Sequence, residues 1–170
     1  MIRLYFASSI DGFIATPDDG VEWLQPFQTD DLGYHEFMEH VAVVVMGRRT
    51  FQRVESWGLW PYGKTRGIVL SSRPLKASFT NVEWTNEPLE VLIERLRREP
   101  FGGDIWVEGG KTMGSFLEAR AVDLVEHYIV PVALGNGIQM FGAFREPLNF
   151  ETREIRQFDS GVVKHTYIPK

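Results

Sequence analysis

The sequence predicts an α/β fold with a mainly parallel central sheet, helices on both faces and an antiparallel edge near the C-terminus. Three observations carry that prediction. Six short apolar runs, at residues 2–7, 41–46, 67–70, 104–107, 124–130 and 162–168, are mostly continuous rather than alternating; strands of that kind belong to sheets covered on both sides. Helical stretches separate them in β–α–β–α–β order as far as Val107, and mainly strand sequence follows. Finally, the chain has 170 residues, 44% of them hydrophobic and 24% charged. A chain of that length buries roughly 70% of its unfolded surface in one core. With no repeat and no Pro/Gly/Ser-rich linker, residues 1–170 are expected to form a single domain.

Taken in order, residues 2–7 form the first strand. Residues 29–40 are expected to be helical, with Leu32, Phe37 and Met38 facing inward and Asp30 and Asp31 at the positive end of the helix. The strand at 41–46 runs into a short helix at 48–54, and a third strand lies at 67–70. Asn86-Glu87-Pro88 then supplies a cap, an acid and a proline at a helix start. Leu89, Leu92, Ile93 and Leu96 follow at helical spacing until Gly102-Gly103 ends it. A strand at 104–107, a helix at 113–119 and strands at 124–130 and 162–168 complete the chain.

Composition removes several functional classes. With no cysteine there is no disulfide scaffold, thiolate nucleophile, Cys-ligated zinc or iron–sulfur cluster. A formal net charge of −5 lacks the basic footprint that duplex nucleic acid requires. No apolar run approaches the ~20 residues needed to cross a bilayer, and the N-terminus lacks a secretory h-region. A cytoplasmic protein with a small-molecule partner, and with neither nucleic acid nor membrane, is expected.

Three junctions at strand ends carry the chemistry. Val45-Met46-Gly47-Arg48-Arg49-Thr50 brings a glycine, two guanidinium groups and a hydroxyl to a helix N-terminus, which suits phosphate; the plainer alternative is a capping threonine with solvated arginines. Leu70-Ser71-Ser72-Arg73-Pro74 places two hydroxyls and an arginine at a strand end, suited to a phosphate monoester or simply to a turn. Val107-Glu108-Gly109-Gly110-Lys111-Thr112-Met113 has paired glycines that let the backbone approach a ligand. It is not a Walker motif, since Ile105 stands where that pattern needs glycine. Together the junctions favour one extended phosphorylated ligand across the carboxyl ends of the strands.

Two near-motifs fail. His35 and His40 are five apart, which turns one ~140° from the other on a helix and leaves no metal site expected there. Gly135-Asn136-Gly137 lacks the third glycine of a dinucleotide fingerprint, where Met140 stands. The acid–base candidates are Asp11, in the loop after the first strand, and Asp31, near a helix N-terminus. Each also has a plainer role, Asp11 as a turn residue and Asp31 as a helix cap.

The order of these motifs resembles the dihydrofolate reductase-like fold, and more closely the reductase domain of bacterial riboflavin biosynthesis and its stand-alone relatives. The matching pieces begin at Ser9-Ile10-Asp11-Gly12-Phe13-Ile14-Ala15, continue through the three junctions, and end at Pro131-Val132-Ala133-Leu134-Gly135-Asn136-Gly137. The resemblance implies a three-layer fold and an NADPH-dependent hydride transferase. It assigns cofactor phosphates to Gly47, Arg48, Arg49 and Thr50, and the adenosine 2′-phosphate to Ser71, Ser72 and Arg73. The pyrophosphate and nicotinamide go to Gly109, Gly110, Lys111, Thr112 and Met113, with Ala7 and Ile14 flanking the nicotinamide. Asp31 stands 16 residues before Gly47, the offset of the pterin-binding carboxylate in dihydrofolate reductases, with Trp23 in the preceding loop. The arginine that grips a folate tail would fall at Thr65, and the threonine that partners the acid at Glu126.

The resulting expectation is a reductase that delivers hydride from NADPH to a small heteroaromatic or carbonyl/imine substrate, pyrimidine- or pterin-like. Asp31 or Asp11 supplies a proton or a charge. The contrasting reading is a non-catalytic nucleotide-binding module on the same fold, and a homodimer is the expected assembly by resemblance.

Overall fold

The chain opens with β1 (Ile2–Ser9), a short β2 (Phe13–Ala15) and a 3-10 helix at Glu22–Phe27. Then come α1 (Tyr34–His40), β3 (Val41–Gly47), α2 (Arg48–Ser56), β4 (Arg66–Leu70), β5 (Val82–Thr85) and α3 (Leu89–Arg98). β6 (Asp104–Glu108), α4 (Gly110–Glu118), β7 (Leu124–Val130), β8 (Ile138–Gln139), β9 (Phe150–Gln157) and β10 (Val163–Pro169) follow. This computed structural model describes residues 1–28 and 31–170.

Eight strands form one sheet in the order β5-β4-β3-β6-β1-β7-β10-β9. The first six run parallel, β10 is antiparallel to β7, and β9 is antiparallel to β10. The parallel sheet with an antiparallel C-terminal edge is therefore as the sequence predicts. β2 and β8 pair separately.

The continuous apolar strands have the cause the sequence suggests. Along β3, Val43 and Val45 enter one core with Leu92 and Leu96 of α3 and Met113, Phe116 and Leu117 of α4. The alternating Val44 and Met46 enter a second core with Phe37 of α1 and Phe51 and Val54 of α2. Both faces of the strand are thus dry, and each such side chain contributes about 1.5–3 kcal/mol by burial. Two helices cover each face, giving three layers.

Several elements differ from expectation. The first helix begins at Tyr34 rather than at residue 29, because Leu32 (φ 53°) and Gly33 (φ 85°) are left-handed and break the helical path. Thr29 and Asp30, included in the predicted helix, lie outside the described residues. α4 starts at Gly110, three residues before the predicted 113, since its first turn is glycine and polar sequence. β5 and β9 were not expected: β5 has four half-buried residues, and β9 is nearly all exposed, so neither carries an apolar run.

Candidate active site

Parallel strands place their carboxyl ends together, and here the register aligns three junctions. Gly47 at the end of β3 lies opposite Leu70 of β4, and its neighbour Met46 lies opposite Glu108 of β6. α2 and α4 therefore begin side by side over adjacent strands. Their starts are interlocked: a Cβ on Gly47 would come within 3.0 Å of Thr112 Oγ1, and one on Gly109 would overlap Thr50 Oγ1. Each glycine thus faces the other junction's threonine. A Cβ on Gly110 would in turn overlap the Gln139 carbonyl.

Neither helix has a side-chain cap or an acidic residue in its first turn. Their leading N–H groups and positive dipole ends are left for an anion. The two N-termini open onto a cleft of about 850 Å³ lined by Ala7, Ile14, Gly47, Arg48, Arg49, Thr50, Ser71, Ser72, Gly109, Gly110, Lys111, Thr112 and Met113. All but one of the cofactor residues expected from sequence meet there. The exception is Arg73, whose side chain is exposed outside the lining.

The arginines are more committed than the sequence suggests. Arg48 Nη1 donates to Ser71 Oγ (3.0 Å) and to the carbonyls of Arg73 (3.2 Å) and Pro74 (3.3 Å), tying the first junction to the second. Arg49 donates to Asp19 Oδ2 from Nε (3.1 Å) and Nη2 (2.9 Å), bracing the 16–20 loop against α2.

A second cavity of about 330 Å³ adjoins the first, and Tyr5, Ala7 and Leu24 line both. Asp31 lines it with Phe27, Leu32, Tyr34 and Tyr128. Both Asp31 carboxylate oxygens accept from the His35 N–H (3.2 and 3.1 Å), and the His35 ring pairs with the same group. Asp31 thus satisfies a free N–H in the first turn of α1 and lines the cavity at once. Its placement depends on the left-handed Leu32, whose carbonyl accepts from Tyr128 Oη (2.8 Å) and Tyr5 Oη (3.5 Å). Tyr128→Phe leaves that carbonyl without its closer donor, so a loss of about 1–2 kcal/mol is expected. Calorimetry should register it as a melting temperature lower by roughly 2–8 °C, and an unchanged melting point would remove the clamp.

Asp11 and Trp23 line neither cavity. Asp11 accepts from Ser9 Oγ (2.5 Å) and from the N–H groups of Leu134 (3.1 Å) and Gly135 (2.7 Å). These bonds, that from Ser9 foremost, hold its carboxyl below the usual range. Asp11 thus anchors the turn after β7, outside the lining of both cavities. Trp23 packs against Tyr128, Val130 and Val162, while its neighbour Leu24 reaches the cavities. At the folate-tail position, Thr65 is buried against the Val41 carbonyl (3.4 Å). Glu126 is held by Arg3 and by Lys164 Nζ (2.6 Å), so it does not partner Asp31.

Sequence reasoning missed Glu108, which ends β6 and lines the larger cleft. Its Oε2 accepts from Tyr62 Oη (2.5 Å). Desolvation, partly offset by that bond, pushes its carboxyl up to about 7. The available signal was its place, a carboxylate ending a buried strand immediately before a glycine pair.

The family model of the RibD C-terminal domain matches residues 1–164. The chain belongs to the RibD C-terminal domain family. Among similar proteins, the uncharacterised protein YwjB of Bacillus subtilis is 31% identical over 165 residues, covering 95% of this chain and 94% of its own length. The riboflavin biosynthesis protein RibD of Mycobacterium tuberculosis is 29% identical over 78% of the chain, which spans 42% of that longer protein. A Shewanella sp. PV-4 structure provisionally assigned to riboflavin biosynthesis superposes with a TM-score of 0.90 at 28% identity, over 100% of this chain and 99% of that one. Enterococcus faecalis dihydrofolate reductase shares the fold, with a TM-score of 0.70 at 18% identity over 100% and 96% of the two chains. The architecture is thus the dihydrofolate reductase-like fold, and the RibD_C membership gives a reductase-type domain. No helix among the described residues is long and apolar enough to cross a membrane.

Proposed function

We propose that this RibD-type domain, acting over residues 1–170, is an NADPH-dependent reductase that transfers hydride to a small heteroaromatic or carbonyl/imine substrate, pyrimidine- or pterin-like. One observation carries the reading. Two uncapped helix N-termini, closely packed through Gly47–Thr112 and Gly109–Thr50, open onto a cleft that meets a second cavity at Ala7. That arrangement fits an extended phosphorylated cofactor lying beside a compact substrate.

The glycines let the two junctions pack against each other's threonines, and the free N–H groups of α2 and α4 so brought together bind the pyrophosphate. Ser71 and Ser72, the former fixed by Arg48, face the adenosine end with Arg73 beside them. Ala7 and Ile14 flank the nicotinamide. When bound, NADPH supplies the hydride. Asp31 binds N–H groups of the substrate from the second cavity. Glu108, protonated for much of the time near neutral pH, delivers the proton that balances hydride addition. The substrate class follows one structural neighbour: a Thermotoga maritima structure, 56% of which this chain covers, is described as a diaminohydroxyphosphoribosylaminopyrimidine deaminase/5-amino-6-(5-phosphoribosylamino)uracil reductase. A homodimer and a cytoplasmic setting belong to the same reading.

Parallel titrations with NADPH and NADH, followed by quenching of the five tryptophans, test the cofactor. NADPH should bind more tightly, and binding of neither would overturn the reading. Arg73→Ala should weaken NADPH by roughly tenfold or more and NADH by less than about threefold, as expected for loss of a charge-assisted phosphate contact. Equal losses would remove the 2′-phosphate role. NADPH oxidation with aminopyrimidines and pterins then separates an enzyme from a non-catalytic binding module.

A further inference from the structure

The larger cleft runs the length of α2. Arg49, Thr50, Arg53, Val54 and Trp57 all line it, at the three- and four-residue spacing that puts side chains on one face of a helix. Arg49 and Trp57 stand at opposite ends of this stripe, which makes it about 12 Å long at roughly 1.5 Å per residue. The cofactor reading uses the N-terminal end, where Gly47 and Thr50 meet α4, and then turns away past Ser71 and Ser72. It leaves the C-terminal end of the stripe without a role.

That end forms an apolar arm of the cleft. Trp57, the residue that closes α2, is 46% exposed, and Val21, just before the 3-10 helix, is 40% exposed. Both line the cleft, together with the buried Val54 and with Leu24. Leu24 lines the smaller cavity as well, so it marks where a molecule seated beside Asp31 passes into the arm.

The arm also holds the least committed of the three arginines that line the cleft. Arg48 is tied to Ser71, and Arg49 grips Asp19 from two nitrogens. Arg53 reaches Glu22 Oε1 at 3.7 Å, too far for a hydrogen bond, and Glu22 is itself exposed. The Arg53 Nε is buried and has no hydrogen-bond partner among the described residues. Such a group calls for a partner, and a guanidinium fork suits a carboxylate or a phosphate.

We propose that this arm is a subsite for an extension of the substrate: a flat apolar group stacked on the Trp57 ring between Val21 and Val54, ending in an anion bound by Arg53. The reacting ring stays in the smaller cavity beside Asp31, and that part rests on the reductase reading. Trp57 and Arg53 thereby set specificity, selecting ring compounds with an apolar, acid-tipped tail over the bare ring.

Calorimetric titration of the full chain in the presence of NADPH tests the subsite with four probes: isocytosine, and isocytosine bearing a phenyl, a 4-carboxyphenyl or a 4-phosphonophenyl group. The phenyl probe should bind roughly tenfold tighter than the bare ring, through stacking and burial. An anionic end should add roughly tenfold more, and the stronger of the two acids identifies carboxylate or phosphate as the natural end. Trp57→Ala should cut the advantage of the phenyl group to below about threefold, and Trp57→Phe should keep most of it. Arg53→Gln should abolish the gain from the anion and spare the gain from the phenyl group. Equal affinity for all four probes, or gains that survive both Trp57→Ala and Arg53→Gln, would overturn the subsite and leave the reductase reading standing. A loss of NADPH affinity in either variant would seat the cofactor on the arm and overturn the subsite too. Graded binding of the probes by a protein that does not bind NADPH would keep the subsite and overturn the reductase reading.

Discussion

Glu108→Gln is expected to lower reductase turnover by roughly 10²- to 10⁴-fold, the range of a positioned general acid. NADPH affinity should stay within about threefold of the wild type, because the amide keeps the shape of the carboxyl and no charged partner is lost. The pH profile distinguishes this from a packing defect. With the carboxyl pushed up to about 7 by desolvation, wild-type turnover should fall as pH rises past 7, and the variant should lose that inflection. Stability supplies a second readout. The folded protein holds a proton on Glu108 that the unfolded chain, with an ordinary glutamate near about 4.3, releases. Wild-type stability therefore declines between those two values as pH rises, and that part of the decline should vanish in the variant. Stopped-flow NADPH oxidation and thermal melts across pH 5–8 measure both. An unchanged turnover would end the proton-donor role.

The second large effect is expected at Gly109. Its φ of 88° is one that side chains rarely adopt, and a Cβ there would overlap Thr50 Oγ1. Gly109→Ala should cost about 2–4 kcal/mol of stability from backbone strain and displacement of Thr50, seen as a melting temperature lower by roughly 4–16 °C. Because Thr50 and Gly47 belong to the neighbouring junction, the start of α2 is disturbed as well. NADPH binding should therefore weaken by at least about tenfold, beyond the loss a single blocked contact would give. Calorimetry and a fluorescence titration of the same sample read the two effects. Full cofactor affinity in a destabilised variant would mean that the paired N-termini pack the fold without holding the ligand.

Much of this was legible locally. The apolar run at β3 announced a strand buried on both faces, and Val43, Val45, Val44 and Met46 divide between two cores as such a run must. Helical spacing from Leu89 to Leu96 gave α3. The junctions at Gly47 and Gly109 were visible because a strand meeting glycine before a helix is a short-range pattern, and the end of β4 by its paired serines and arginine; parallel strands gather such ends by topology. β9 escaped because an exposed strand has no hydrophobic period to display. The start of α1 was misjudged because the left-handed turn at Leu32 is held by hydroxyls from Tyr5 and Tyr128, distant in sequence.

The sequence by itself therefore determined the layered fold, the RibD-type order of motifs and the phosphate-suited glycines, all properties of neighbouring residues. Only the tertiary structure separated Asp11 from Asp31, since both are acids near turns until one is found bound to Leu134 and Gly135 and the other lining a cavity. Only it raised Glu108 from a motif residue to a candidate acid. A carboxyl's proton affinity is set by the water it loses and the groups packed around it, and those come from Tyr62 and from walls that no stretch of sequence holds together.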